Sequence, residues 1–271
     1  MKKLCFLAVL AVGILSNVSC SKADKNNEDP NHIKVGITSG PEKDIAEAAK
    51  KVAKEKYNLD VELVNFNDYV VPNEALNNGD IDANAFQHAP YLEEQSKQRG
   101  YHLAVVGKTF VYPIVAYSKK IKNISELKDG STVVIPNDPT NGGRSLLLFQ
   151  KNGLVKLKDN VGLLPKLTDI TSNPKNLKFL EIEAPQLTRV LDDDEVVLAV
   201  INNNFAAQAG LDPDKYGILK EDKNSPYVNI IVAREDNKNS EKVKNFVKAY
   251  QSKEVEEAAL KSFKGGAVKG W

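Results

Sequence analysis

Sulfur is almost missing from this chain of 271 residues, which has two cysteines, Cys5 and Cys20, and one methionine, Met1. From residue 21 onward there is no thiol, so disulfides, thiolate metal sites and cysteine nucleophiles are excluded from that whole stretch. Histidine is nearly as scarce. With only His32, His88 and His102, a histidine triad or a histidine-rich metal cluster has little to be built from. Charge of one sign is lacking too: 37 basic and 36 acidic residues leave a formal net charge of +1, so no global field draws the protein to nucleic acid or to an acidic surface. After residue 20 no apolar run approaches the roughly 20 residues that span a bilayer. Enzyme signatures are absent as well: there is no Walker A loop, dinucleotide glycine fingerprint, H-E-x-x-H or G-x-S-x-G. The chain reads as a non-enzyme without cofactor or metal. The acidic run Asp192-Asp193-Asp194-Glu195 lacks the spaced oxygen ligands and turn glycine of a calcium loop and reads as a solvated turn.

What is present starts with a leader. A basic opening, Met1-Lys2-Lys3, precedes the apolar stretch from Leu4 to Leu15, then Ser16-Asn17-Val18-Ser19 and Cys20. The apolar core is too short for a membrane span and reads as a secretory signal peptide over residues 1–19. A cysteine directly after the cut resembles bacterial lipoproteins, which implies lipidation at Cys20 and anchoring at the periplasmic face of a bacterial membrane. Asn17 stands where such sites usually carry leucine, and ordinary secretion is the alternative. Residues 20–31 are polar and aperiodic after the cysteine and read as a flexible tether, about 18 Å end to end.

From Ile33 the pattern changes. The chain is 42% hydrophobic overall, enough for a real core, and strand and helix signals alternate. Strands are expected at 33–38, 60–66, 81–86, 103–106, 111–117, 131–135, 177–182, 196–201 and 227–233. Helices are expected after Pro41, over 72–78, 89–99 and 144–152, from Pro185, and from Ser240 and Ser252. The run Val196–Ile201, apolar without alternation, suits a strand covered on both faces. Such repeated units predict an α/β protein with open, largely parallel sheets.

In sheets of this kind ligands gather beyond the carboxyl ends of the strands. The residues there are Tyr69 after the second strand, Phe86, His88 and Tyr91 after the third, Arg144 in Asn141-Gly142-Gly143-Arg144, and Asn202 after Val196–Ile201. Asn229 interrupts an otherwise apolar strand and needs a partner, backbone or ligand. Together they describe an apolar wall with a few polar anchors, the make-up of a small-molecule site. Taken singly, each also has a structural reading as core or loop packing. Arg144 follows two glycines at an expected helix start, where free N–H groups favour an anion and an arginine can grip a carboxylate.

The segments HIKVGITSGPE, ELVNFNDYVVPNEAL, GDIDANAFQHAPYL, TFVYPIVAYSKKIK, IPNDPTNGGRSLLL, EAPQLTRVLDD, EDKNSPYVNIIVAREDNK and GGAVKGW resemble the methionine-binding lipoproteins of ABC importers, the NlpA family. The resemblance implies a two-lobed, type II-like periplasmic-binding-protein fold with crossing hinge strands. One lobe would comprise residues 32–112 and 230–271, the other 113–229. It also implies a monomer that binds L-methionine and delivers it to an inner-membrane ABC permease and its ATPase subunits, with no nucleic acid involved. Carried over by position, the methionine side chain falls among Tyr69, Phe86, His88 and Tyr91, the carboxylate on Arg144, and the amino and carboxylate anchors on Asn202 and Asn229. Gly142 and Asn203-Asn204-Phe205 depart from the residues common in the family. D-methionine or a methionine-containing dipeptide is the alternative ligand, and a lipoprotein acting by protein contact is the alternative from another class.

Overall fold

Ile33, Val35 and Ile37 alternate along the first strand, and all three are fully buried. The structure, a computed structural model, describes residues 29–264 and 266–271; the signal segment 1–19, Cys20 and the tether up to residue 28 lie outside the described residues. No helix among the described residues is long and apolar enough to cross a membrane.

The chain forms β1 (His32–Thr38), α1 (Pro41–Tyr57), β2 (Asp60–Phe66), α2 (Val71–Asn78), β3 (Ala83–His88), α3 (Ala89–Arg99) and β4 (Leu103–Val111). Next come β5 (Val115–Tyr117), β6 (Thr132–Pro136), α4 (Pro139–Lys151), β7 (Lys156–Leu157), β8 (Ile170–Ser172), β9 (Lys178–Ile182) and β10 (Val196–Ile201). The remainder is α5 (Asn203–Gln208), α6 (Pro213–Tyr216), β11 (Gly217–Lys220), β12 (Val228–Arg234), α7 (Glu241–Tyr250), α8 (Lys253–Ser262) and β13 (Val268–Lys269).

Two principal sheets result, ordered β13-β4-β12-β3-β1-β2 and β11-β5-β10-β6-β9. β1 runs parallel to β2 and β3, and β6 parallel to β9 and β10, each joined by a covering helix or long connection. The other strands are antiparallel: β12 lies between β3 and β4, and β5 between β10 and β11. β5 and β12 are the strands that follow the segments passing between the sheets.

Both sheets are covered on two faces. In the first, Ile33 and Ile37 pack with Ile45 and Ala49 of α1 and Val243 and Phe246 of α7; Ile230 and Val232 pack on the opposite side with Leu76 and Leu92. In the second, β10 divides its side chains, Leu198 and Val200 joining Phe149 of α4 and Ala199 and Ile201 joining Tyr117 and Phe205. That division explains the unbroken apolar run.

The chain passes between the sheets at 112–114 and 221–227. The Glu221 N–H donates to the Ile114 carbonyl at 3.0 Å, and the Ile114 N–H donates to Glu221 Oε2 at 3.2 Å, so the two passages are tied to each other. Three elements differ from the sequence expectation. β4 is continuous through Gly107, and the break falls at Tyr112–Ile114, around Pro113, which has no N–H to offer a ladder. The helix expected from Pro185 is two short 3-10 turns held down by buried Leu187 and Leu191. α4 begins at Pro139 and not at Arg144, because Asp138 caps it by accepting the Asn141 N–H at 2.9 Å.

Candidate functional site

Phe86 and His88 lie two residues apart at the end of β3, where the ladder to β12 shifts register at Phe86, and both side chains are buried. His88 also caps α3, its Nδ1 accepting the Tyr91 N–H at 3.2 Å. That bond settles the tautomer: the neutral ring keeps its proton on Nε2, which donates to Asn141 Oδ1 at 3.2 Å. Burial, assisted by the nearby charge of Arg144, lowers the His88 pKa to about 3. Tyr69 follows β2 in a loop held by Asp68, whose carboxylate accepts the Val70 and Val71 N–H groups at 2.6 and 2.8 Å. The Tyr69 ring lies 5.9 Å from Phe86, 6.0 Å from Tyr91 and 5.0 Å from Phe205. Its hydroxyl donates to Asn204 Oδ1 at 2.6 Å, and the Tyr91 hydroxyl donates to the Tyr69 carbonyl at 2.9 Å. Burial pushes both phenols well above their usual range, so the rings form a neutral wall.

The facing wall comes from α4 and β10. Asn141 and Arg144, three apart, share a helix face. Asn141 is fixed by two bonds of 3.0 Å from its Nδ2 to the Asp138 carboxylate, and its Oδ1 also accepts from Asn202 Nδ2 at 2.9 Å. Arg144 donates through Nε to Glu221 Oε1 at 3.0 Å, through Nη2 to Glu221 Oε2, and through Nη2 to the Tyr112 carbonyl at 3.0 Å. The Tyr227 ring lies 4.4 Å from its guanidinium carbon. The expectation that Arg144 stands among free helix-start amides is therefore corrected: it sits in the second turn, and the carboxylate it grips is Glu221. Nη1 has no hydrogen-bond partner among the described residues.

Asn229 in β12 is in register with His88. Its Nδ2 donates to the Phe86 carbonyl at 3.1 Å and to Glu42 Oε1 at 3.2 Å. Glu42, in the first turn of α1, also accepts the Thr38 hydroxyl on Oε2. Burial raises its pKa to about 8 against the opposing pull of these two hydrogen bonds.

All seven residues expected from the sequence (Tyr69, Phe86, His88, Tyr91, Arg144, Asn202 and Asn229) line one pocket. Glu42, Tyr112, Asn141 and Asn204 line it too, and sequence reading did not single them out. Glu42 and Asn141 sit in first helical turns, where acidic and amide residues are ordinary. Asn204 was visible only as part of the asparagine run after β10. The pocket is chemically mixed. Tyr69, Phe86, His88 and Tyr91 bring rings to it, while Asn202 Oδ1, Asn204 Nδ2 and the Tyr112 hydroxyl are buried without a partner among the described residues. Buried polar atoms of that kind call for a polar guest. Among the described residues no group of three or more His, Cys, Asp or Glu is arranged to hold a metal ion.

Residues 33–271 match the family model described as NlpA lipoprotein. A D-methionine-binding lipoprotein, MetQ, of Salmonella typhimurium is 67% identical over 98% of this chain and 97% of its own length. A nutrient-binding protein from Burkholderia cenocepacia, solved bound to methionine, superposes with a TM-score of 0.85 at 48% identity, over 88% of this chain and all of the other. An ABC-transporter periplasmic substrate-binding protein from Coxiella burnetii gives a TM-score of 0.84 at 47% identity, over 88% of this chain and 100% of its own.

Proposed function

The chain belongs to the NlpA lipoprotein family, and from that membership we propose that it is the substrate-binding lipoprotein of an ABC-type importer, capturing L-methionine between two lobes. Its fold is that of the periplasmic substrate-binding proteins, and it is a binding protein, not an enzyme. We divide it into one lobe of residues 32–112 and 230–271 and another of 113–229. As a monomer it hands its ligand to an inner-membrane permease driven by ATPase subunits. Cys20 carries the lipid that holds it at the periplasmic face, with residues up to 31 as the tether.

The observation that carries this reading is the pocket that brings the rings of Tyr69, Phe86, His88 and Tyr91 together with Arg144, Asn202 and Asn229. A methionine side chain gains about 1.5–3 kcal/mol on burial and about 0.3–1.5 kcal/mol from thioether–ring contacts with Tyr69, Phe86, His88 and Tyr91. Its charged end meets Arg144, Asn202 and Asn229. A ligand that touches both lobes favours the form in which they are closed over it, because only that form makes every contact.

Mass spectrometry of material co-purified with the protein, followed by calorimetry after unfolding, dialysis and refolding, tests the reading. Methionine in the eluate and tight binding of the free amino acid are expected; binding of neither enantiomer would overturn it. D-methionine is the second reading, favoured by the name of the Salmonella relative, and the same titration with each enantiomer separates the two. Mass analysis of the mature amino terminus, wild type against Cys20→Ser, tests the anchor.

A further inference from the structure

Glu42 is 4% exposed and lines the pocket, yet no cationic side chain among the described residues forms an ion pair with it, Arg144 being held by Glu221. Its carboxyl group meets the Thr38 hydroxyl and the Asn229 amide. The phenols of Tyr69, from the loop after β2, Tyr112, from the passage after β4, and Tyr250, from α7, face it as well. A carboxylate buried without a counter-ion is expensive. The group is protonated near neutral pH, as its raised pKa of about 8 reflects, or it takes a cation from outside. Acceptors stand ready for such a cation. Asn202 Oδ1 is buried and unpartnered, and Asn229 has spent its amide protons on Glu42 and Phe86, so only its oxygen is left to offer. Donors suited to a carboxylate come from Arg144 and Tyr112, which line the same pocket, the Tyr112 hydroxyl without a partner among the described residues.

We propose that Glu42 is the counter-ion of the ligand's α-ammonium group, so that the site selects a free α-amino acid and takes it up with release of a proton. The inference rests on the methionine reading and deepens it. The proton balance is simple: the ammonium arrives carrying all its hydrogens, the Glu42 carboxyl gives its proton to solvent, and a new ion pair replaces a neutral acid. The other titratable groups lining the pocket do not mimic this. His88 stays neutral above about pH 3, burial holds Tyr69, Tyr91 and Tyr112 protonated, and Arg144 is already joined to Glu221. N-acetylmethionine and the deaminated analogue 4-methylthiobutanoate would leave Glu42 without its partner. So would a dipeptide with methionine at its carboxyl end, where the methionine nitrogen is an amide.

Calorimetry on the refolded mature protein tests this, with L-methionine titrated at fixed pH in buffers of different ionisation enthalpy. Release of close to one proton per ligand is expected between pH 6 and 7, fading above pH 8, with affinity rising by about tenfold per pH unit from 5 to 7. Glu42→Gln should abolish the release, weaken methionine binding by roughly 10- to 100-fold, and leave 4-methylthiobutanoate binding nearly unchanged. Wild-type methionine binding without proton release would overturn the role of Glu42 while leaving methionine as the ligand. A wild-type protein that binds no methionine at all would overturn both.

Discussion

Arg144 and Glu221 meet fork to fork, Nε on Oε1 at 3.0 Å and Nη2 on Oε2, with the arginine side chain 4% and the glutamate 15% exposed. The same glutamate accepts the Ile114 N–H and donates its own N–H to the Ile114 carbonyl. One pair thus joins the pocket wall to both passages between the sheets.

Arg144→Ala strands Glu221 as a buried, unpaired charge, and breaking such pairs costs about 3–5 kcal/mol. Thermal or denaturant unfolding should show that loss. Calorimetry should show methionine affinity down by roughly 10- to 150-fold, the equivalent of one charge-assisted hydrogen bond or more. Arg144→Lys restores charge without the fork and should recover only part of either quantity; wild-type affinity in Arg144→Ala would remove the guanidinium from the binding site.

His88 and pH are linked with a definite sign. Its folded pKa of about 3 lies below the ordinary 6.5, so the unfolded chain takes up a proton first. Stability from this group is intact above pH 6.5 and is lost as pH falls toward 3, by up to about 1.4 kcal/mol per unit. Glu42 pulls the other way over this range, so the measure is the difference from His88→Gln, which keeps Glu42: wild type should lose ground to that variant in denaturant midpoint from pH 7 to 5 to 4.

Glu42 acts in the opposite direction. Its folded pKa, about 8 against 4.5, means that its contribution in the ligand-free protein is complete below pH 4.5 and is lost as pH rises through 8. Comparing wild type with Glu42→Gln in unfolding experiments across pH 5 to 9 should show the variant gaining on wild type as pH rises. Parallel curves would count against a buried, cation-free carboxyl.

Tyr69 reaches Asn204 across the pocket at 2.6 Å. Tyr69→Phe keeps the ring and loses one neutral hydrogen bond, worth about 0.5–1.5 kcal/mol, so a modest drop in affinity of roughly 2- to 10-fold is expected. Tyr69→Ala, which opens the ring cluster, should lose considerably more in the same titration.

Methionine sulfoxide carries a polar oxygen into a wall of neutral rings. Competition calorimetry should place it at least about fivefold weaker than methionine, since an unpaired buried polar group costs about 1–3 kcal/mol. Equal binding would locate the side chain elsewhere.

Much of the architecture is legible because it is written in burial. β1, β2, β6, β10 and β12 announce themselves by apolar spacing, the rule that sites gather at strand ends led to Tyr69, Phe86, His88, Tyr91 and Asn202, and Asn229 stood out as an amide inside an apolar strand. The pair of glycines before Arg144 misled, because Asp138-Pro139 is the stronger helix-start signal: a capping side chain followed by a residue that needs no N–H. β11 was missed, since Gly217-Ile218-Leu219-Lys220 is short and follows a four-residue helix. Glu42 could not be found from sequence at all. An acid in the first turn of a helix is what the helix dipole favours anywhere, and only the packing of Thr38, Tyr69, Tyr112 and Asn229 around it sets this one apart.

β12 is wedged between β3 and β4, far from either in the chain, whereas β5, β6, β9, β10 and β11 come from one uninterrupted stretch. During synthesis the amino end emerges first, so the residues of β3 and β4 wait with a missing neighbour until nearly the whole polypeptide has been made. The middle of the molecule can mature while its flanks are still incomplete, and the ring wall from β3 and the arginine wall from α4 acquire their common frame only when that late strand slots home.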